Sequence, residues 1–196
     1  MPSSGGLGRI VAITGGIGSG KSYVCRLLHE AGYPVFYCDD EAKRIISTSA
    51  DVRRKLEALV GTGLYSGGVL SKAVLAAFIC RGKDYASQVD AIVHPAVAAA
   101  FKSWAASQSS SRVFMECALL FESGFDRLAD SAVLVHAPLE VRVERVMARD
   151  GVGRAKVLDW IGLQMPEAEK AARADAVVVN DGVAELLPQI APLINP

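Results

Sequence analysis

The chain is expected to fold as an α/β protein: a five-stranded parallel sheet, a helical segment inserted after the second strand, and a short lid beyond the fourth. Residues 15–22, Gly-Gly-Ile-Gly-Ser-Gly-Lys-Ser, match G-x-x-x-x-G-K-[ST] in full and stand between an apolar run and a helical pattern. Apolar runs without polar alternation recur at 10–14, 33–38, 113–117, 132–135 and 176–179, as strands do when both faces of a parallel sheet are covered. Between the second and third runs lies a long stretch of helical periodicity.

The first strand and helix occupy about residues 9–31, with Val24, Leu27, Leu28 and Ala31 at helical spacing and Gly32 as C-cap. The second strand, Tyr33 to Cys38, runs into Asp39-Asp40, either of which suits the N-cap of a helix carrying Ala42, Ile45 and Ile46. In the helix-rich middle, Val52, Leu56, Leu59 and Val60 form one face and Leu70, Val74, Leu75 and Phe78 another, with Gly61 to Gly68 as a loop between them. His94-Pro95 interrupts the pattern, and Pro95 suits the first turn of a helix through Val97, Phe101 and Trp104. Gln108–Ser111 reads as a polar connector. Pro138 opens a helix with Leu139, Val143, Val146 and Met147 on one face, Asp150–Gly153 breaks it, and one polar helix spans about 154–172. Residues 9–58 and 110–196 then form the core, with the lid at about 145–172, and 59–109 form the inserted helical domain.

Half the chain is hydrophobic (51%), enough for a sizeable core, and Lys plus Arg equal Asp plus Glu. That balance argues against a general nucleic-acid or anionic-membrane surface, so anion binding must come from the glycine-rich turn and local arginines. Cys25, Cys38, Cys80 and Cys117 are scattered and do not cluster with His29, His94 or His136, which argues against zinc and for reduced thiols in the cytoplasm. Residues 1–8 are polar and glycine-rich, without the apolar stretch of a signal peptide, and no apolar run approaches the ~20 residues that span a bilayer. A soluble monomer or weak homo-oligomer is the expectation.

A strand, a glycine-rich turn and a helix N-terminus make a phosphate cradle, because backbone N–H groups converge on the phosphate oxygens. This assigns the chain to the P-loop NTPase fold and makes a nucleoside triphosphate its ligand. Lys21 reaches the β- and γ-phosphates, and the Ser22 hydroxyl ligates Mg2+. In an open parallel sheet the cleft lies beyond the carboxyl ends of the strands, where Asp39-Asp40, Glu116 to Glu122, His136 and Asn180-Asp181 follow their strands. Asp39 is read either as the carboxylate that takes a proton from an acceptor hydroxyl or as a helix cap. Arg145 and Arg149, four apart, form either a phosphate-binding face on a mobile lid or a solvated face partly neutralised by Glu140 and Glu144. His94 is either a site residue or a helix-start histidine. Cys117 has no histidine base nearby in sequence and is not read as a nucleophile.

From Ile10 to Gly182 the chain resembles the dephospho-CoA kinase family. The resemblance is carried by Ile13–Ser22, by Tyr37–Lys43 against D-x-D-x-x-A-[RK], and by Ile92–Pro95 against I-x-H-P. It continues in Ala118–Glu122 against P-L-L-F-E and in Glu144–Gly151 against E-R-x-x-x-R-D-G. Gln164-Met165, Lys170, Ala174-Asp175 and Asn180–Gly182 follow in the family's order. The resemblance implies a P-loop kinase that transfers the γ-phosphoryl of ATP to the 3′-hydroxyl of the dephospho-CoA ribose, with Mg2+. It implies Asp39 as catalytic base and Lys21 and Arg145 as stabilisers of the transferring phosphoryl. ATP contacts fall on Gly16, Ile17, Gly18, Ser19, Gly20, Lys21, Ser22, Tyr23, Arg149 and Asn180, and substrate contacts on Asp39, His94, Leu119 and Glu122. Tyr37 stands in place of the first Asp of the usual pair, Ala118 of the usual Pro, Glu116 of a common Asp and Trp160 of a frequent Arg, which shifts lid phosphate contact toward Arg149 or Arg154. The rivals are another small-metabolite or nucleoside monophosphate kinase, and a nucleotide-dependent switch. The H-P element and long insertion argue against the first, and the lack of an N-K-x-D element argues against a GTPase switch.

Overall fold

A computed structural model describes residues 8–194, so the reading of the N-terminal stretch lies outside the described residues for positions 1–7. The chain falls into two compact units, one comprising the residues up to Tyr37 and from Ala105 onward, the other Cys38–Trp104. The boundaries thus sit at 37/38 and 104/105, where the sequence reading put them at 58/59 and 109/110. The residues of 38–58 go with the insertion because their helices pack on each other and the Tyr65 hydroxyl donates to the Ile46 carbonyl at 2.7 Å.

The first unit is built on strands β1 (Arg9–Thr14), β2 (Val35–Tyr37), β5 (Arg112–Glu116), β6 (Ser131–His136) and β7 (Ala176–Val179), ordered β2-β5-β1-β6-β7 and parallel throughout. Strands β3 (Tyr65–Ser66) and β4 (Val69–Leu70) form a separate two-stranded hairpin in the second unit. Helix α1 (Lys21–Glu30) covers one face of the sheet through Val24, Cys25 and Leu28, which join Val11, Ile13, Phe114, Val133, Val135 and Ile190 in the core. The strands read as unbroken apolar runs because they are buried on both sides: Ala12, Ile13, Phe114, Met115, Leu134 and Val135 expose nothing. Gly32 lies one residue beyond the cap of α1, which is Ala31.

The register aligns the carboxyl ends: Ile13 with Glu116, Tyr37 with Glu116, Thr14 with Leu134, and His136 with Val179. Central β1 has β5 and β2 on one side and β6 and β7 on the other, and the reversal of strand order beside β1 is where open α/β sheets bind ligands. Helices α6 (Leu139–Asp150), α7 (Arg154–Gly162) and α8 (Glu167–Arg173) follow β6, and α9 (Leu186–Ile194) follows β7. The single polar helix expected over 154–172 is two, because Pro166 cannot donate to the ladder and restricts Met165 before it. On α6 the buried residues are Arg142, Val143 and Val146, whereas Leu139 and Met147 are exposed.

The second unit carries α2 (Cys38–Thr48), α3 (Ala50–Val60), α4 (Lys72–Ile79) and α5 (Lys83–Ala106). Helix α2 begins at Cys38, so Asp39 and Asp40 are first-turn residues and neither is the cap. There they complement the positive end of the helix dipole. The expected glycine loop contains the hairpin, with Gly67 and Gly68 at φ 56° and 85°, and Leu70 belongs to β4 instead of a helix face. Helix α5 runs unbroken through Pro95. Val89, Val93, Val97, Phe101 and Ala105 are all buried at intervals of four, and that stripe outweighs the roughly 3 kcal/mol an interior proline costs.

Candidate active site

Every element of the phosphate loop is built from the end of β1. Thr14 closes the strand, residues 15–20 turn, and Lys21 is the first residue of α1 with Gly20 as its cap at φ 90°. Glycine suits position 20 twice over: its φ is in the left-handed region, and an added Cβ would displace the Asn180 side-chain amide. Gly16 is held to glycine by packing, since a Cβ would meet Arg142 Nη2 at 2.2 Å. The Ser19 amide donates to the Gly16 carbonyl at 3.1 Å, which curls the loop, and Lys21 Nζ donates to the same carbonyl at 3.3 Å. Lys21 is buried, so its charge sits against the loop and not in bulk water. Ser22 and Tyr23 follow on exposed positions of the first turn, with the Arg26 guanidinium over the Tyr23 ring.

Helix α6 and the loop after β7 meet this turn. Asn180 Nδ2 donates to the Ser19 carbonyl at 2.8 Å, and Arg145 Nη1 donates to the Asn180 carbonyl at 2.9 Å. Asp181 accepts from the Val183 and Ala184 amides at 2.8 Å each, and those donors hold its carboxyl below the usual carboxylate range. Arg149 forks onto neighbouring Asp150 at 2.7 Å, and Arg154 onto Glu140 at 2.6 and 2.8 Å. Both arginines are thereby engaged by local carboxylates in this structure.

The turn after β5 presents Leu119, partly exposed, and Glu122. The Glu122 carboxylate accepts from Lys170 Nζ at 3.2 Å and from the Met165 amide at 2.9 Å, so it ties the turn to α8 and to the connection before it. Lys170 is buried and also donates to the Ala118 carbonyl at 3.0 Å. Cys117 is buried beside this turn, and Cys25 lies in the core, where burial pushes its thiol far up. In the second unit Asp39 is exposed in the first turn of α2, beside Asp40, whose carboxylate pairs with Lys43 at 2.8 Å. His94 lies on α5, with Nε2 3.5 Å from Asp90 across one helical turn.

One group of residues went unassigned in the sequence. Arg142 is buried, donates through Nε to the Ile17 carbonyl at 3.0 Å and pairs through Nη1 with Glu167 at 2.5 Å. Glu167 in turn meets His136 Nδ1 at 3.0 Å. The signal for Arg142 was present: it is four residues before Val146 and therefore on the apolar stripe, where an unpaired cation has no place. Nothing in the spacing points to Glu167.

The comparisons with known proteins agree with one another. The family model for dephospho-CoA kinase matches residues 9–185. A dephospho-CoA kinase of Bacteroides fragilis is 43% identical over 185 residues, covering 94% of this chain and 90% of the relative. A crystal structure from Thermus thermophilus is 37% identical with a TM-score of 0.86, covering 96% of this chain and 97% of that one. The dephospho-CoA kinase of Campylobacter jejuni, 20% identical with a TM-score of 0.68 over 94% of each chain, shares the fold.

Proposed function

The chain belongs to the dephospho-CoA kinase family, and from that premise we propose how its own residues divide the reaction. Its activity is ATP-dependent phosphorylation of dephospho-CoA to coenzyme A, with ADP as second product. The acceptor is the 3′-hydroxyl of the ribose. Its oxygen attacks the γ-phosphorus, the bond from that phosphorus to the β–γ bridging oxygen breaks, and ADP leaves with the electron pair.

The glycine turn grips the phosphate chain with the amides of Gly18, Gly20, Lys21 and Ser22, aligned with the positive end of α1, while the Ser19 amide keeps the loop curled onto Gly16. The buried Lys21 ammonium meets the β- and γ-phosphates, where the low local dielectric strengthens it against charge that grows as the phosphoryl group moves. Arg145 supplies a second cation, on the helix that also holds the Asn180 loop. Asn180 and its neighbours lie along the adenine, with Gly16, Ile17, Tyr23 and Arg149 completing the ATP contacts. Asp39 orients the ribose hydroxyl and accepts its proton; its support is its position two residues past the carboxyl end of β2, on an exposed first turn. His94, Leu119 and Glu122 contact the acceptor.

Mg2+ fits the residues present. Ser22 offers a hard hydroxyl oxygen on an exposed turn at the head of α1, the kind of ligand Mg2+ takes beside phosphates and water. When bound, the ion would neutralise phosphate charge. No helix among the described residues is long and apolar enough to cross a membrane. Four free cysteines support work in a reducing cytoplasm.

The observation that carries this reading is the complete phosphate loop with its lysine buried at the head of α1. Asp39→Asn is expected to leave ATP affinity nearly intact while cutting turnover by about 100-fold or more. Steady-state kinetics with dephospho-CoA, beside calorimetric ATP binding, decide it; near-normal turnover would remove Asp39 from the role of base.

A further inference from the structure

Ile17 is held by its N–H, its carbonyl and its side chain. Its N–H donates to Gln164 Oε1 at 2.8 Å. Its carbonyl accepts from Arg142 Nε at 3.0 Å. Its side chain packs on Val143, Val146 and Val157, together with Trp160 and Ile161. Arg142 is itself oriented by Glu167 at the first turn of α8, and Glu167 by His136 at the end of β6. The Arg142 guanidinium lies against Gly16, where an added Cβ would displace it.

Gln164 lies on the short connection between α7 and α8 and Glu167 opens α8, so one segment reaches the N–H of Ile17 directly and its carbonyl through Arg142. The amides that follow Ile17, beginning with Gly18, are those that must aim at phosphate. A tripeptide of glycines and one isoleucine has no intrinsic preference for that aim, because glycine backbones are the least restrained. An anion that had to order the loop on arrival would bind more weakly by the cost of the ordering. Trp160 fits the same picture: in place of a lid cation it supplies apolar surface to the cluster on which Ile17 rests.

We propose that Gln164, Arg142 and Glu167 are positioning residues which latch the Ile17 peptide and so hold the phosphate loop in its anion-binding form before nucleotide arrives. They act through the loop and touch no reacting atom. The α7–α8 connection and the phosphate loop then order together, and a movement of one away from the other releases the N–H of Ile17 and leaves Arg142, which holds its carbonyl, without Glu167.

The proposal rests on residues 15–22 being the phosphate site, and the test separates the two. Binding of ATP and of adenosine is measured by calorimetry on the wild type, Gln164→Met and Glu167→Gln, with KM and kcat alongside. Expected is a threefold to tenfold loss of ATP affinity in each variant, the size of one net hydrogen bond. Adenosine affinity and the KM for dephospho-CoA should not move, and kcat should stay within about twofold. Unchanged ATP affinity, or equal loss for ATP and adenosine, overturns the latch while leaving the phosphate site standing. A wild type that binds ATP no better than adenosine overturns both. Hydrogen exchange on the nucleotide-free wild type guards against a variant that fails to fold. The Ile17 amide should be protected, and exchange at the rate of an open surface amide would rule the latch out.

Discussion

Gly20 and Gly151 both sit at positive φ, 90° and 66°, at opposite ends of helices, yet they have different neighbours. Around Gly151, the C-cap of α6, nothing lies within 4 Å of an added Cβ; at Gly20 the added atom meets the Asn180 amide. Gly151→Ala should therefore cost about 1 kcal/mol, the backbone term alone, and leave ATP affinity untouched. Gly20→Ala should cost more and also push Asn180 off the Ser19 carbonyl, with a clear loss of ATP affinity. Thermal melts and ATP titrations of the two variants side by side check this, and equal ATP affinity would contradict it. The same residue scale shows what patterning cannot resolve. On position alone Asp39 was equally a cap or a base; the family resemblance favoured the base, and the start of α2 at Cys38 removes the cap.

Among the elements, α8 does the work that its polar sequence conceals. Its Lys170 is buried beneath the turn after β5, donating to the Ala118 carbonyl and to Glu122. Lys170→Met should cost about 2–4 kcal/mol, because the acceptors it leaves behind stay partly buried while the pair's attraction is gone. A second change, Glu122→Gln, should return part of that loss by removing the orphaned charge. Chemical denaturation of the single and double variants tests it; a single variant as stable as wild type would show that the tie is idle. Helix α5 teaches the converse. Its buried stripe at intervals of four was legible throughout, yet the reading stopped at Pro95, because a local rule about proline was given more weight than five burying residues.

For the whole molecule, the insertion costs the sheet nothing in connectivity. Strands β2 and β5 are neighbours, so the chain can leave the end of one, build Cys38–Trp104 and return to pair beside it. A ligand that binds only the folded form stabilises that form by mass action. ATP at 100 times its dissociation constant should add about 2.7 kcal/mol to the unfolding free energy of the unit that carries the loop. Lys21→Ala should abolish most of that gain and lower turnover by several kcal/mol in transition-state terms. Melting curves with and without ATP read it directly, and an undiminished ATP shift in the variant would place the phosphates elsewhere.

The parallel sheet, the phosphate loop and the kinase family were all legible in the chain by itself. Doubly buried strands must be apolar throughout, and a phosphate cradle can be made by few sequences, so both leave marks that are local. The partners of those marks are not local. That Arg142 points inward, that Glu167 meets it across 25 positions, and that Gln164 reaches Ile17 across 147 depend on which helices the sheet brings together. No periodicity records a contact between distant segments; only folding, which must find partners for the great majority of buried polar groups, decides it.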